Sequence, residues 1–150
     1  MYQALVFIHL VGVVVMAVAH GVSIFAAFRV RRETDPRIVA AVLGMSKSAV
    51  MVLYVGFLLL AIGGFGAAWQ SGVLLAPWAI ASYIVLAVVI GVMYGVATGY
   101  YVRLREMAGG ETGDPDALRA ALDTRRPEVL AVVGTSGLLI LLWLMVVRPT

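Results

Sequence analysis

The chain has 150 residues, 63% of them hydrophobic and 13% charged, where an average soluble domain carries about 25% charged residues. That balance excludes a soluble globular domain. The formal net charge of +3 falls on arginines beside apolar stretches, so lipid headgroups are their expected partners and nucleic acid is not. With no cysteine, disulfides, thiolate metal sites and cysteine nucleophiles are excluded as well.

Apolar stretches at 3–28, 49–69, 78–102 and 129–147 each reach or approach the roughly 20 residues that a helix needs to cross a bilayer. The first is not expected to be a cleavable signal. It has no basic amino-terminal region, it exceeds the ~7 to 15 residues of a signal core, and Arg29, Arg31 and Arg32 follow it as a stop. Asp35 before Pro36 is a capping residue followed by proline at the first helical position, which predicts the second helix start there. From Pro36 to Trp69 that helix would be roughly 51 Å long against a hydrocarbon thickness of about 30 Å. The segment IVAAVLGMSKS is therefore expected to run along or out of the interface, with a bend near Gly44. Lys47 lies about 20 residues inward from Trp69, which predicts that its ammonium snorkels to the headgroups.

The third stretch carries Gly91, Gly95 and Gly99 at four-residue intervals on one face. Lipid tails are as apolar as leucine, so helices in a bilayer associate by close approach and hydrogen bonding, and this stripe is expected to pack on another helix of the bundle. Gly12, Gly21, Gly56, Gly63, Gly66, Gly134 and Gly137 offer counterpart surfaces. After Arg103 and Arg105, AGGETG reads as a hinge. Asp114 and Pro115 repeat the capping signature, and DPDALRAALDTRR spaces Leu118 and Leu122 four apart, as in a short amphipathic helix on the cytoplasmic surface. The fold expected is all-α: one membrane domain over 1–150, a four-transmembrane-helix bundle with spans at about 3–28, 38–69, 78–102 and 128–147, and a short cytoplasmic amphipathic helix between spans three and four.

Orientation follows from the basic residues, which are retained on the cytoplasmic side. Arg29, Arg31, Arg32, Arg37 and Lys47 cluster around the first connector and Arg103, Arg105, Arg119, Arg125 and Arg126 around the last, whereas the opposite face has only Arg148. Both termini are thus expected outside, with Trp69 and Trp78 marking the outer boundary and Tyr100 and Tyr101 the inner one.

Few residues can carry chemistry. His9 and His20 are eleven apart, which puts them within about 20° on one helix face and about 16 Å apart. They cannot share one metal. Met16 lies between them, four residues before His20, a spacing at which a thioether and an imidazole can converge on copper(I); a histidine alone can ligate heme iron. The plainer alternative is a histidine hydrogen-bonded to a neighbouring helix and a methionine filling a gap. Tyr54, Tyr83 and Tyr94 read as hydrogen-bonded packing residues. Acidic residues occur only in the connectors, and no nucleophile, phosphate loop or carboxylate pair is present, which reads against an enzyme.

The segments FIHLVG, AHGVS with FRVRRETDP, APW, YYVRLRE and the closing LLWLMVVRPT resemble a bacterial family of predicted four-helix integral membrane proteins known as a domain of unknown function. The resemblance covers nearly the whole chain and implies four spans in a bacterial cytoplasmic membrane. More distantly, His9 and Gly12 are similar to the opening of copper-resistance inner-membrane proteins, while the chain departs from that pattern near Met16 and His20. The leading expectation is a non-catalytic accessory or scaffold subunit of a larger membrane assembly, or a homo-oligomer. The alternative is a heme b- or copper-binding protein for electron transfer or copper handling, with His9 and His20 toward the cofactor and His20 with Met16 toward a metal. A small transporter component is the third.

Overall fold

A computed structural model describes residues 1–109 and 114–149, the side chain of residue 115 excepted. Of the expected hinge, residues 110–113 lie outside the described residues. Five helices and no strand occur among the described residues: α1 (Tyr2–Val30), α2 (Pro36–Gln70), α3 (Pro77–Gly109), α4 (Pro115–Leu122) and α5 (Arg126–Val147). α1, α2, α3 and the helix ending at Val147 are long and apolar enough to cross a membrane. Both capping signatures act as expected. Asp35 accepts from the Arg37 amide at 2.8 Å and Asp114 from the Asp116 amide at 2.9 Å, each with proline in the first turn.

The chain runs up and down, so both termini and the 71–76 turn share one end (the terminal end) and the remaining connectors the other. α1 packs most extensively on α2, and α3 on α5, with a lighter seam between the two antiparallel pairs. The α1–α2 contact is made by glycine. A Cβ added at Gly12 would collide with the backbone of Gly56 and Leu60, and one at Gly63 with the backbone of Leu5 and His9. Gly56 takes Val15 and Met16 in the same register. Backbone approach of this kind gains the dispersion and polar contacts that replace a hydrophobic driving force in lipid.

The expected partner for the other stripe is not there. Nothing lies within 4 Å of a Cβ built at Gly91, Gly95 or Gly99, because α3 meets α5 through Gly137, against which Val89 packs, rather than through its own glycines. Tyr54 and Tyr94 are likewise exposed, not packed.

Burial follows two rules. Along the spans the buried residues are mostly small, such as Ala19, Ala26, Ala27, Ala49, Gly56, Gly63, Ala79 and Ser82, while Phe7, Phe25, Leu58 and Ile84 point outward. At the connector end, Val30, Val39, Leu43, Leu104, Leu118 and Leu122 are buried together. α2 with 35 residues and α3 with 33 reach about 50 Å, well past a hydrocarbon layer of about 30 Å. Their overhang carries this second core, and α4 caps it. Within the IVAAVLG stretch Val39 and Leu43 are buried in this core, while Ile38, Ala41 and Gly44 stay exposed. The short amphipathic helix expected between spans three and four is present as α4, and Leu118 and Leu122 face Val39, Leu43 and Leu104, so its apolar side is turned to the chain itself.

Candidate functional site

Gly63 and Gly64 do more than bring two helices together. A Cβ on Gly64 would lie 2.8 Å from His9 Nδ1, so its absence opens a socket in α2 for the imidazole. Within it, His9 Nδ1 lies 2.9 Å from the Leu60 carbonyl oxygen. A carbonyl only accepts, so Nδ1 carries the proton and Nε2 of the neutral ring presents a lone pair. That lone pair is aimed across the seam at Met145 Sδ of α5, 3.5 Å away.

The two atoms stand at a cavity of about 370 Å³ in the terminal half of the bundle, bounded by α1, α2, α3 and α5. Its walls are largely apolar, including Val13, Phe57, Leu86, Leu138 and Leu141, and it holds no carboxylate among the described residues. Phe65 of α2 stacks on Tyr83 of α3 with ring centroids 4.8 Å apart, closing the seam beside it. At the mouth, Arg148 ends α5 in the left-handed region at φ 49°, a conformation that is uncommon outside glycine. Its Nε donates to the Met145 carbonyl at 3.3 Å and its guanidinium stands 5.5 Å from the centre of the Trp78 ring. Trp78, read from sequence as an interface anchor, is thus also a cavity wall, whereas Trp69 is 76% exposed.

His20 occupies a different place on the same seam. Its ring fills the space over Gly134 of α5, where a Cβ would collide with Cε1 and Nε2. The eleven residues between His9 and His20 on α1 match the eleven between Gly134 and Met145 on α5, so the two antiparallel helices keep one register over about three turns. His20 Nε2 and Ser23 Oγ are buried with no hydrogen-bond partner among the described residues. Met16 packs its backbone and Cγ against Gly56 of α2, while the His20 ring lies over Gly134 of α5. No cluster of three histidine, cysteine or acidic ligands occurs among the described residues.

The connector end is ionic. Arg31 bridges to Glu128 and stands 3.8 Å from Asp123, which fastens α1 to the start of α5. Arg29 pairs with Glu33 at 2.8 Å. The Glu128 hydrogen bond raises the Arg31 pKa further above its ordinary value. The Glu33 carboxyl is held below its ordinary range, first by the Thr34 and Asp35 amides and then by Arg29. An open cleft here holds Arg31, Arg32 and Arg119 beside Glu33, Asp116 and Asp123, a balance of charge that favours neither ion sign. Arg126 lies over the Tyr100 ring at 5.2 Å, and Tyr100 meets Tyr101 edge-on. Lys47 is exposed.

Sequence reasoning found His9 and missed Met145, Gly64 and the Leu60 carbonyl. The thioether singled out in the sequence was Met16, because it shares a helix with the histidines, whereas Met145 faces His9 only through the way α5 docks. No curated protein and no solved structure matches this chain. A family described as Predicted integral membrane protein (DUF2269) matches residues 3–149, and with nearly its whole length covered the chain belongs to that family of integral membrane proteins.

Proposed function

We propose that the chain is a non-catalytic cofactor-holding protein of the bacterial cytoplasmic membrane, with both termini outside and the cavity beside His9 as its binding site. The observation that carries this reading is the His9 imidazole. It is held by its Nδ1 proton on the Leu60 carbonyl and directs a free nitrogen to the cavity. A histidine whose second nitrogen is fixed on a backbone carbonyl is the usual arrangement of a metal or heme ligand, since that bond sets the tautomer and the ring orientation. Heme b and copper are the two candidates for the occupant.

The test is an absorption spectrum and metal analysis of the protein purified from its own host. A Soret band or near-stoichiometric copper is expected, lost in His9→Ala and reduced in Gly64→Ala, which pushes the ring from its socket. Absence of both, or full retention in His9→Ala, ends this reading. The absence of cysteine makes sidedness easy to test: Arg119→Cys should react with an impermeant thiol reagent only from the cytoplasm.

A second reading, an accessory subunit of a larger membrane assembly or a homo-oligomer, is favoured by the open face at Gly91, Gly95 and Gly99. Under it, gently solubilised membranes should yield a complex larger than the monomer, and Gly95→Leu should disperse that complex. A bare monomer in native mass spectrometry speaks against it.

A further inference from the structure

We propose that the His9–Met145 pair is a binding site for a soft monovalent cation, copper(I) in chemical class, a claim that rests on the cavity being a cofactor site and selects its occupant. The argument begins with two lone pairs. In the neutral imidazole the one ring proton is taken by the Leu60 carbonyl, so Nε2 and Met145 Sδ, 3.5 Å apart, are then two lone-pair donors facing each other. Such a contact is resolved by an electrophile. A proton could sit there, but thioether sulfur is a weak hydrogen-bond acceptor and a good ligand for soft metal ions.

Geometry agrees with a metal. With metal–nitrogen and metal–sulfur bonds of about 2.0 and 2.3 Å, an N···S separation of 3.5 Å corresponds to an angle of about 110° at the metal. That is a bent pair of ligands with the remaining positions open toward the cavity. Axial ligation of one heme by both residues would need N and S on opposite faces of the ring, about 4.3 Å apart with the same bond lengths. At 3.5 Å, α1 and α5 leave no room there for a macrocycle.

Charge chooses among metals. Both donors are uncharged in the neutral imidazole and thioether, and among the described residues no carboxylate lines the cavity and its one charged residue is the cationic Arg148. The Born cost of bringing an ion into such a site rises with the square of its charge, so a divalent ion costs roughly four times what a monovalent one does. Zinc(II) is disfavoured on this ground. A soft monovalent ion matches the thioether and requires the least countercharge.

The experiment uses the full chain in detergent or nanodiscs. It is titrated with copper(I) against bicinchoninate under a reducing atmosphere, in parallel with zinc(II), and the copper-loaded protein is examined by X-ray absorption. One copper(I) per chain is expected, with a sulfur scatterer at about 2.3 Å and nitrogen at about 2.0 Å, and no stoichiometric zinc. Met145→Leu, which keeps volume and apolarity, should weaken binding at least tenfold and remove the sulfur shell. Met51→Leu, at a methionine 64% exposed on α2, should change neither. Zinc binding as tight as copper, or unchanged copper binding in Met145→Leu, overturns the assignment. A Soret band with stoichiometric heme and no copper overturns it while leaving the cofactor reading intact, and absence of both heme and copper removes the two together.

Discussion

The bundle interior and the connector-end core are built on opposite rules within one chain. Between the spans the buried residues are mostly glycine, alanine and serine, with Leu130 and Leu144 of α5 as exceptions, and many leucines, phenylalanines and isoleucines face outward; at the connector end, Val30, Val39, Leu43 and Leu104 are the largest fully buried side chains. The difference lies in the solvent. In lipid nothing is gained by hiding a leucine, so closeness of backbones decides the packing, whereas in water each buried large apolar side chain is worth about 1.5–3 kcal/mol. The change from small to large buried residues falls around residues 27–30 on α1 and 43–49 on α2.

The contrast can be broken first at Gly63. Gly63→Leu puts four heavy atoms where the backbone of Leu5 and His9 stands. Backbone cannot rotate aside, so a loss beyond about 3 kcal/mol is expected, seen as failure of the helical protein to resist unfolding in mixed micelles. Leu43→Ala comes next. It empties a fully buried site in the water-type core, and an unfolding measurement should register about 2–5 kcal/mol. Gly134→Ala presses on the His20 ring, a side chain that can give a little, so about 1–3 kcal/mol is expected in the same assay.

Glu33 provides a pH handle on the first connector. Because its carboxyl is held below the ordinary range, its contribution is complete above the unfolded value of about 4.3 and is lost as pH falls through the folded value. Protection of the Thr34 and Asp35 amides, measured relative to their intrinsic exchange rates, should fall as the pH drops through the folded value, and Glu33→Gln should remove that pH dependence. The smallest effect belongs to Gly95. Nothing stands near its missing Cβ, so Gly95→Ala should leave the monomer unchanged or stabilise it by up to about 1 kcal/mol.

Local chemistry was legible in the sequence; reciprocity between helices was not. Asp35–Pro36 and Asp114–Pro115 announced helix starts because a cap involves neighbours two residues apart. The glycine stripe of α3 misled because spacing along one helix says which residues share a face, not whether another helix arrives there. Gly12, Gly56 and Gly63 are less regular as a motif, yet they interlock because α1 and α2 run antiparallel in matching register. His9 was visible as an intramembrane histidine, but its carbonyl on α2 and its sulfur on α5 are 51 and 136 residues away in sequence. The apolar pair on α4 showed that the helix had a face to hide, and only the overhang of α2 and α3 explains where it is hidden.

The light contact between the two helix pairs has a mechanical meaning. They are clamped at one end by Arg31 and Glu128, while His9 lies 22 residues away along α1, a lever of about 33 Å. Each degree of tilt about that clamp would change the gap between imidazole and thioether by about 0.6 Å. A small rotation, scarcely altering any interface inside a pair, is therefore enough to open or close the gap between those two atoms.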